Sequence, residues 1–209
     1  IATENEKLIG IIYDSGQSEF IFTSEDKFKS APSVINNNGN ILIIVGDTGG
    51  KLYGLNTDGS LVFTKITGND IMSEPGFIEI DNQLAIFFGS EDGNLYGIDI
   101  NGNDLENWPQ YIGDEAINSS PVFADLDGDD DAEVISATEE GKIIIYHLNG
   151  QAYGNFPMNF GVGFQSSPSI TDIDHDGDLE ILIGTDINFS VIDIKESSNT
   201  EEFYWNTYR

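Results

Sequence analysis

Cysteine is absent from this sequence, and basic residues are scarce. With no cysteine in 209 residues, disulfide bonds, thiol chemistry and cysteine-ligated zinc or iron–sulfur sites are excluded. Only 8 Lys and Arg residues accompany 37 Asp and Glu residues, which gives a formal net charge of −29 at pH 7. Nucleic acids and anionic membrane surfaces are polyanions, so this charge argues against either as a partner.

Long apolar runs and catalytic motifs are missing as well. Runs such as residues 41–45 and 84–88 are far shorter than the roughly 20 apolar residues that cross a bilayer, so no transmembrane segment is predicted. The chain begins with Ile1 and shows no signal peptide, so we expect a processed or truncated start. The two histidines, His147 and His175, lie in no nucleophile motif, and neither a phosphate-binding nor a dinucleotide-binding motif is present.

A repeat organises the chain. Four segments begin with Ser-x-Pro, and their prolines are 43, 46 and 47 residues apart. An apolar run, a turn rich in Gly, Asn or Asp, and a second apolar run follow each segment, without sustained helical periodicity. Units of four short strands with this period are typical of a β-propeller, whereas the alternative is a β-sandwich with accidental similarity. The four prolines are Pro32, Pro75, Pro121 and Pro168.

We therefore predict an all-β fold, namely a β-propeller region with four four-stranded blades and an N-terminal half-blade. An aromatic residue recurs late in each unit, as Phe63, Trp108, Phe156 and Trp205. For the last three, recurrence favours packing between blades over the alternative of a ligand-binding aromatic. The predicted half-blade covers residues 1–29, and the predicted blades cover residues 30–72, 73–118, 119–165 and 166–209.

The two ends of the repeat region differ. Residues 2–22 match the back half of a unit, so two strands are expected ahead of Pro32, and residues 201–209 match a fourth strand, for about eighteen strands in all. A propeller avoids open edges by closing its ring. We therefore expect this chain to be part of a longer propeller, or a second copy to pair with the open blade edge by self-association.

Two stretches carry an acidic residue at every second position. They are ADLDGDDDAEVI at residues 124–135 and TDIDHDGDLEIL at residues 171–182, and both lengthen the predicted connection between the first two strands of a blade. In such a loop, positions 1, 3, 5 and 9 can offer side-chain oxygens and position 7 a backbone carbonyl, which suits the about six to eight oxygen ligands of calcium. We predict one calcium ion in each loop.

The predicted calcium ligands form two sets. We name residues 125–133 the first acidic loop and residues 172–180 the second acidic loop. The ligand sets are Asp125, Asp127, Asp129, Asp131 and Glu133 in the first, and Asp172, Asp174, Asp176, Asp178 and Glu180 in the second.

Three alternatives to calcium loops are an EF-hand, a magnesium site and a solvated acidic turn. An EF-hand requires Glu at position 12 and flanking helices, whereas Ser136 and Ile183 stand there and the flanks are strand-like. Magnesium also accepts oxygen ligands but prefers to keep its waters. A solvated acidic turn would need no ion at all, yet two such loops at one place in the repeat favour metal binding.

The segments DLDGDDDAEVI and DIDHDGDLEIL resemble the calcium loops of FG-GAP/VCBS-type propeller repeats. Two residues depart from the pattern, since Asp130 and His175 stand where such loops carry Gly; we expect both to point outward and the loop geometry to survive. The segments LYGLNTDGSLVF and LYGIDINGNDLENW also resemble quinoprotein-like propeller repeats. These resemblances imply a propeller fold and calcium as the cofactor.

Together these features predict a calcium-stabilised module that is extracellular or at the cell surface and acts in binding, adhesion or structural assembly. Its further ligand would be a protein or a carbohydrate. We expect no catalytic residue and no hydrolase or redox activity, because few groups titrate near neutrality. The alternatives are an accessory or catalytic propeller of a polysaccharide-degrading or quinone-dependent enzyme, and a non-catalytic carbohydrate-binding module.

Overall fold

A computed structural model describes residues 1–37 and 39–195. In this part of the chain, seventeen β-strands form five antiparallel sheets, and no helix is present. The first sheet contains β1 (Lys7–Ile11) and β2 (Ser18–Thr23). The second sheet contains β3 (Ser33–Asn37), β4 (Asn40–Gly46), β5 (Lys51–Asn56) and β6 (Leu61–Ile66).

The remaining strands form three further sheets. The third sheet contains β7 (Gly76–Ile80), β8 (Gln83–Gly89), β9 (Asn94–Asp99) and β10 (Gln110–Tyr111). The fourth contains β11 (Val122–Ala124), β12 (Glu133–Ala137), β13 (Lys142–His147) and β14 (Met158–Asn159). The fifth contains β15 (Ser169–Thr171), β16 (Glu180–Gly184) and β17 (Phe189–Asp193).

Every sheet is a meander in which each strand pairs with the next one in the chain. This arrangement confirms the predicted all-β propeller fold with four-stranded sheets and a two-stranded N-terminal sheet. Among the described residues, no strand of the first sheet pairs with the fifth, so strand pairing does not close a ring. The strand predicted at residues 201–209, and with it Trp205, lies outside the described residues.

Consecutive sheets share their apolar cores, which is why the middle strands are buried on both faces. The ring of Phe87 on β8 contacts Phe123 of the next sheet at 5.6 Å between centroids and Trp108 at 4.9 Å. Trp108 also contacts Tyr146 on β13 at 6.0 Å, and its Nε1 donates to the carbonyl of Leu148 at 2.9 Å. Trp108 therefore packs between two sheets, as predicted for the recurring aromatic residue.

The first serine of each Ser-x-Pro segment forms a hydrogen bond with the last residue of the second strand of its own sheet. Its Oγ accepts the N–H of that strand's last residue at 2.7–3.3 Å, and in three of the sheets it also donates to the carbonyl of the same residue. The recurring motif thus has a structural role in each unit. The four pairs are Ser30 with Gly46, Ser73 with Gly89, Ser119 with Ala137 and Ser166 with Gly184.

The middle residues of the Ser-x-Pro segments connect one unit to the next. The N–H of Ala31 donates to Glu74 Oε1 at 3.3 Å, and the N–H of Glu74 donates to Ser120 Oγ at 3.0 Å. The N–H of Ser120 in turn donates to Ser167 Oγ at 2.8 Å. A row of hydrogen bonds therefore runs across four successive units.

The connection between the first and second strands of a sheet has two forms. In the third sheet it is a two-residue turn, in which Asp81 and Asn82 adopt φ of 51° and 61°. In the fourth and fifth sheets it is eight residues long, covering residues 125–132 and 172–179. Both long connections join equivalent pairs, Ala124 to Glu133 and Thr171 to Glu180. Each acidic loop therefore lies at the same corner of its sheet.

Candidate functional site

Asp125 folds the first acidic loop around its carboxylate. Its side chain is buried at 1% exposure. Its Oδ1 accepts the N–H of Gly128 at 2.7 Å and of Asp129 at 3.3 Å, and its Oδ2 accepts the N–H of Asp130 at 3.0 Å. Gly128 and Asp130 adopt left-handed backbone with φ of 76° and 70°, a conformation that Gly and Asp tolerate. The turn thereby directs alternate side chains to one point.

Two acidic side chains of the first loop, Asp127 and Glu133, converge with His147 of β13. One oxygen each from Asp125, Asp127 and Asp129 lie within 4.8 Å of one another, as do ligand atoms of Asp127, Glu133 and His147. Glu133 is completely buried, and its Oε2 accepts the N–H of Leu126 at 2.9 Å while its Oε1 lies 2.8 Å from His147 Nδ1.

The crowding of carboxylates in the first loop has an electrostatic cost. Burial raises the pKa of Glu133 to about 8, and the charges of Asp127, Asp129 and Asp125 add to the rise. Burial and the charge of Asp129 also raise the pKa of Asp127. The Oδ1 atom of Asp127 is buried and has no hydrogen-bond partner among the described residues. A cation at this point would offset both costs.

The second acidic loop repeats the same backbone scheme. Asp172 Oδ1 accepts the N–H of His175 at 2.6 Å, and its Oδ2 accepts the N–H of Gly177 at 3.3 Å. Glu180 Oε2 accepts the N–H of Ile173 at 2.7 Å, as Glu133 does for Leu126 in the first loop. His175 and Gly177 adopt φ of 63° and 97°. The two loops therefore share one fold despite their different sequences.

Glu180 is the centre of the carboxylates in the second loop. Its oxygen lies within 4.8 Å of oxygens from Asp172 and Asp174, and also of oxygens from Asp176 and Asp178. Glu180 is 2% exposed, and its Oε1 is buried without a hydrogen-bond partner in the described part of the chain. The hydrogen bond with Asp176 and partial burial raise the pKa of Asp178 to about 6.

A lysine lies beside the second loop. Lys195 Nζ is 3.7 Å from Asp176 Oδ2 and 3.9 Å from Asp178 Oδ2, and it forms a closer ion pair with Asp193. Lys195 is largely exposed, at 68% of its side-chain surface. It therefore neutralises the rim of the loop and leaves the buried Glu180 Oε1 without a donor.

A buried carboxylate outside the loops has hydrogen-bond donors at both of its oxygens. Asp47 is completely buried, and its Oδ1 accepts the N–H groups of Gly49 and Lys51, both at 2.9 Å. Its Oδ2 accepts the hydroxyls of Ser24 at 2.5 Å and Tyr53 at 2.8 Å. Buried polar groups are normally paired in this way. The unpaired oxygens of the acidic loops, surrounded by further carboxylates, instead fit a bound cation.

Nine of the ten predicted ligand residues have carboxylate oxygens in the clusters, and Asp131 is the exception. Asp131 is exposed, its carboxylate belongs to neither cluster, and its N–H donates to Asp129 Oδ1 at 2.9 Å; only a backbone role was predicted there. Asp130 and His175 are exposed, as predicted.

His147 lies beside the first acidic loop although the acidic pattern did not predict it there. His147 lies directly opposite Glu133 in the β12–β13 pairing, and Asp193 lies directly opposite Glu180 in the β16–β17 pairing. The register of the hairpin that follows each loop would have predicted the positions of His147 and Asp193. Pairing residues outward from the turn at residues 138–141 places His147 opposite Glu133.

Comparisons with known proteins agree with the fold and with the position of the loops. Residues 125–183 match the family model of the FG-GAP-like repeat, which confirms the resemblance for the segment that holds both acidic loops. A search among curated proteins gives no match. The described part of the chain contains no helix that is long and apolar enough to span a membrane.

Three solved structures have similar folds. BamB from Moraxella catarrhalis aligns with a TM-score of 0.63 and 14% identity over 99% of this chain and 72% of that chain. Saccharomyces cerevisiae Sqt1 aligns with a TM-score of 0.70 and 13% identity over 93% of this chain and 55% of that chain. The computationally designed Ika4 protein aligns with a TM-score of 0.57 and 15% identity, over 82% of this chain and 93% of that chain. This chain has a β-propeller fold, within which residues 125–183 resemble an FG-GAP-like repeat.

Proposed function

We propose that each acidic loop binds one calcium ion. In the first loop the ligands are the side chains of Asp125, Asp127, Asp129 and Glu133 with the carbonyl of Asp131; in the second they are those of Asp172, Asp174, Asp176 and Glu180 with the carbonyl of Asp178. The observation that carries this proposal is the buried, unpaired Glu180 Oε1 amid four other carboxylates. Hard oxygen ligands in a flexible loop suit calcium better than magnesium, which holds its waters.

Calcium would stabilise the propeller by mass action, because an ion that binds only the folded state lowers its free energy relative to the unfolded state. Each ion joins the start of a loop to the first residue of the following strand, Glu133 of β12 or Glu180 of β16. The ions therefore act on the hairpins between the first and second strands.

We further propose that the protein is a binding, adhesion or structural-assembly module that works outside the cell or at its surface. The FG-GAP-like match and the net charge of −29 support this role. Extracellular calcium modules bind with Kd of about 10⁻⁴–10⁻³ M, a range that carboxylate loops of this kind can reach. Calcium-dependent binding to a glycan array would identify a carbohydrate ligand, and its absence alongside binding to matrix proteins would identify a protein ligand.

Calorimetric titration with calcium tests the metal sites. We expect the chain to bind two ions, and Asp127→Ala and Asp174→Ala each to abolish one site while leaving the other. Asp14→Ala, in an exposed turn far from both loops in sequence, is the control and should keep both sites. A melting temperature unchanged by chelator, together with no calcium heat, would reject the proposal.

A further inference from the structure

His147 holds one ring nitrogen against the first acidic loop. It ends β13, directly opposite Glu133, and its Nδ1 lies 2.8 Å from Glu133 Oε1. Its ring lies 5.5 Å from that of Tyr153 between centroids, and the side chain is 29% exposed. Strand pairing and the aromatic contact therefore fix the imidazole beside the carboxylates.

The ligand atoms around His147 form a mixed nitrogen and oxygen set. One atom each from Asp127, Glu133 and His147 lies within 4.8 Å of the other two. Asp127 Oδ1 is buried without a hydrogen-bond partner, and Glu133 is completely buried. Glu133 forms an ion pair with His147. Three ligand atoms thus converge at a point where one imidazole lies beside two carboxylates.

The second acidic loop differs at the equivalent position. Asp193 there faces Glu180 across the strand pair, and it forms an ion pair with Lys195. The clusters of that loop contain carboxylates only. The two loops therefore share a backbone fold but present different ligand chemistry to an ion.

We propose that the first acidic loop accepts zinc in exchange for calcium, through the His147 imidazole, Asp127 and Glu133, whereas the second loop is restricted to hard cations such as calcium. Zinc accepts imidazole and carboxylate ligands together, and calcium takes oxygen alone. Ligand atoms of tetrahedral zinc stand about 3.4 Å apart, which the converging set can reach by small side-chain movements. This inference rests on the proposed function, in that it adds a second ion that one of the two calcium loops can hold.

An open route leads to this site. A groove of about 660 Å³ lies between the third and fourth sheets, and Asp129, Asp131 and His147 belong to its lining. The imidazole is thus reached from solvent, and an ion can enter without opening the core. Such an entry path is one requirement for a metal site.

The experiment is a calorimetric titration with zinc. It is carried out on the wild-type chain and two histidine variants, with calcium present and absent. Because the chain has no cysteine and two histidines, His147→Asn is matched by His175→Asn, which removes the exposed imidazole of the second loop. We expect zinc to displace one of the two calcium ions from the wild type. His147→Asn should weaken zinc binding by about tenfold or more, because loss of even a partner of a metal ligand costs about 10–100-fold in affinity, and His175→Asn should leave it nearly unchanged.

The outcomes separate this inference from the calcium proposal. If the chain binds two calcium ions and His147→Asn leaves the zinc affinity unchanged, the zinc site is overturned and the calcium proposal is retained. Neither metal binding in either loop would overturn both. If His147→Asn does not fold, the ¹⁵N resonances of wild-type His147 decide the question: zinc should shift Nδ1 strongly, and an unchanged Nδ1 resonance in zinc-saturated protein would overturn the proposal.

Discussion

At the scale of single residues, three buried carboxylates differ in their hydrogen-bond partners. Asp47 accepts four hydrogen bonds from protein groups. Glu133 has a backbone amide and His147. Glu180 has a backbone amide on one oxygen only. Sequence pattern predicted Glu133 and Glu180 as ligands because the acidic alternation continues into the strand, but it could not predict His147, whose role depends on strand register.

The raised pKa of Glu133 predicts a pH dependence of stability in metal-free protein. Its pKa rises from 4.5 to about 8 on folding, so between these values the folded state binds a proton that the unfolded state has released. Stability contributed by this group is therefore complete below about pH 4.5 and is lost as pH rises through about 8, by up to about 1.4 kcal/mol per pH unit.

Denaturant unfolding in chelator at pH 5 and pH 8 measures this effect. We expect wild type to lose about 1–3 kcal/mol of unfolding free energy relative to Glu133→Gln over that range. Glu140→Gln, at an exposed turn position, should show no such relative change. Saturating calcium should abolish the difference, because a bound cation keeps Glu133 ionised. Parallel pH curves for wild type and Glu133→Gln would contradict the prediction.

At the scale of elements, the strand pattern could be predicted well where apolar runs alternate with turns. The length of the fourth strand in the third repeat could not: this strand contains only Met158–Asn159, with an isolated bridge from Tyr146 to Ala152 ahead of it. The N–H of Phe156 donates to the carbonyl of Tyr153, which forms a turn, and the proline that follows has no N–H for a ladder. Such local turns compete with strand pairing and leave little trace in hydrophobic pattern.

The serine that closes each second strand predicts a graded effect of substitution. Ser73 is completely buried, and Ser73→Ala removes both of its hydrogen bonds with Gly89, so we expect a loss of about 1–3 kcal/mol of unfolding free energy. Ser166→Ala removes the equivalent bond to Gly184 at an exposed position. There water can replace the lost acceptor of the Gly184 N–H, and less than half of that loss is expected from the same denaturant measurement. Equal losses in the two variants would show that burial does not set the contribution.

At the scale of the whole molecule, charge repulsion is unavoidable, since 37 acidic residues face 8 basic ones. The propeller fold and the loop positions could be predicted from the repeat, because a period of this length and a fixed insertion point need no knowledge of packing. The balance of charges across the surface could not, because it depends on which side chains the five sheets bring together. Ion pairs such as Lys65 with Asp104, at 2.6 Å, join residues far apart in sequence.

Monovalent salt should therefore stabilise the metal-free protein. Raising NaCl from about 0.05 M to 1 M shortens the screening length to about 3 Å, which weakens repulsion more in the compact state than in the expanded unfolded chain. We expect calorimetry in chelator to show a rise in Tm of about 3–6 °C, equivalent to about 1–2 kcal/mol for a chain of this size. KCl should act equally, and a falling Tm in either salt would show that favourable ion pairs dominate.

The row of hydrogen bonds between Ser-x-Pro segments has a direction, because each amide donates to the side chain of the following unit. The two last acceptors, Ser120 and Ser167, are the same residue type in the same place. If the third unit were deleted, the N–H of Glu74 would meet Ser167 in place of Ser120, and if that unit were duplicated the added serine would fill the new position. Gain or loss of a whole repeat therefore preserves the junction chemistry, so that the propeller can change its number of units without any compensating substitution at this row.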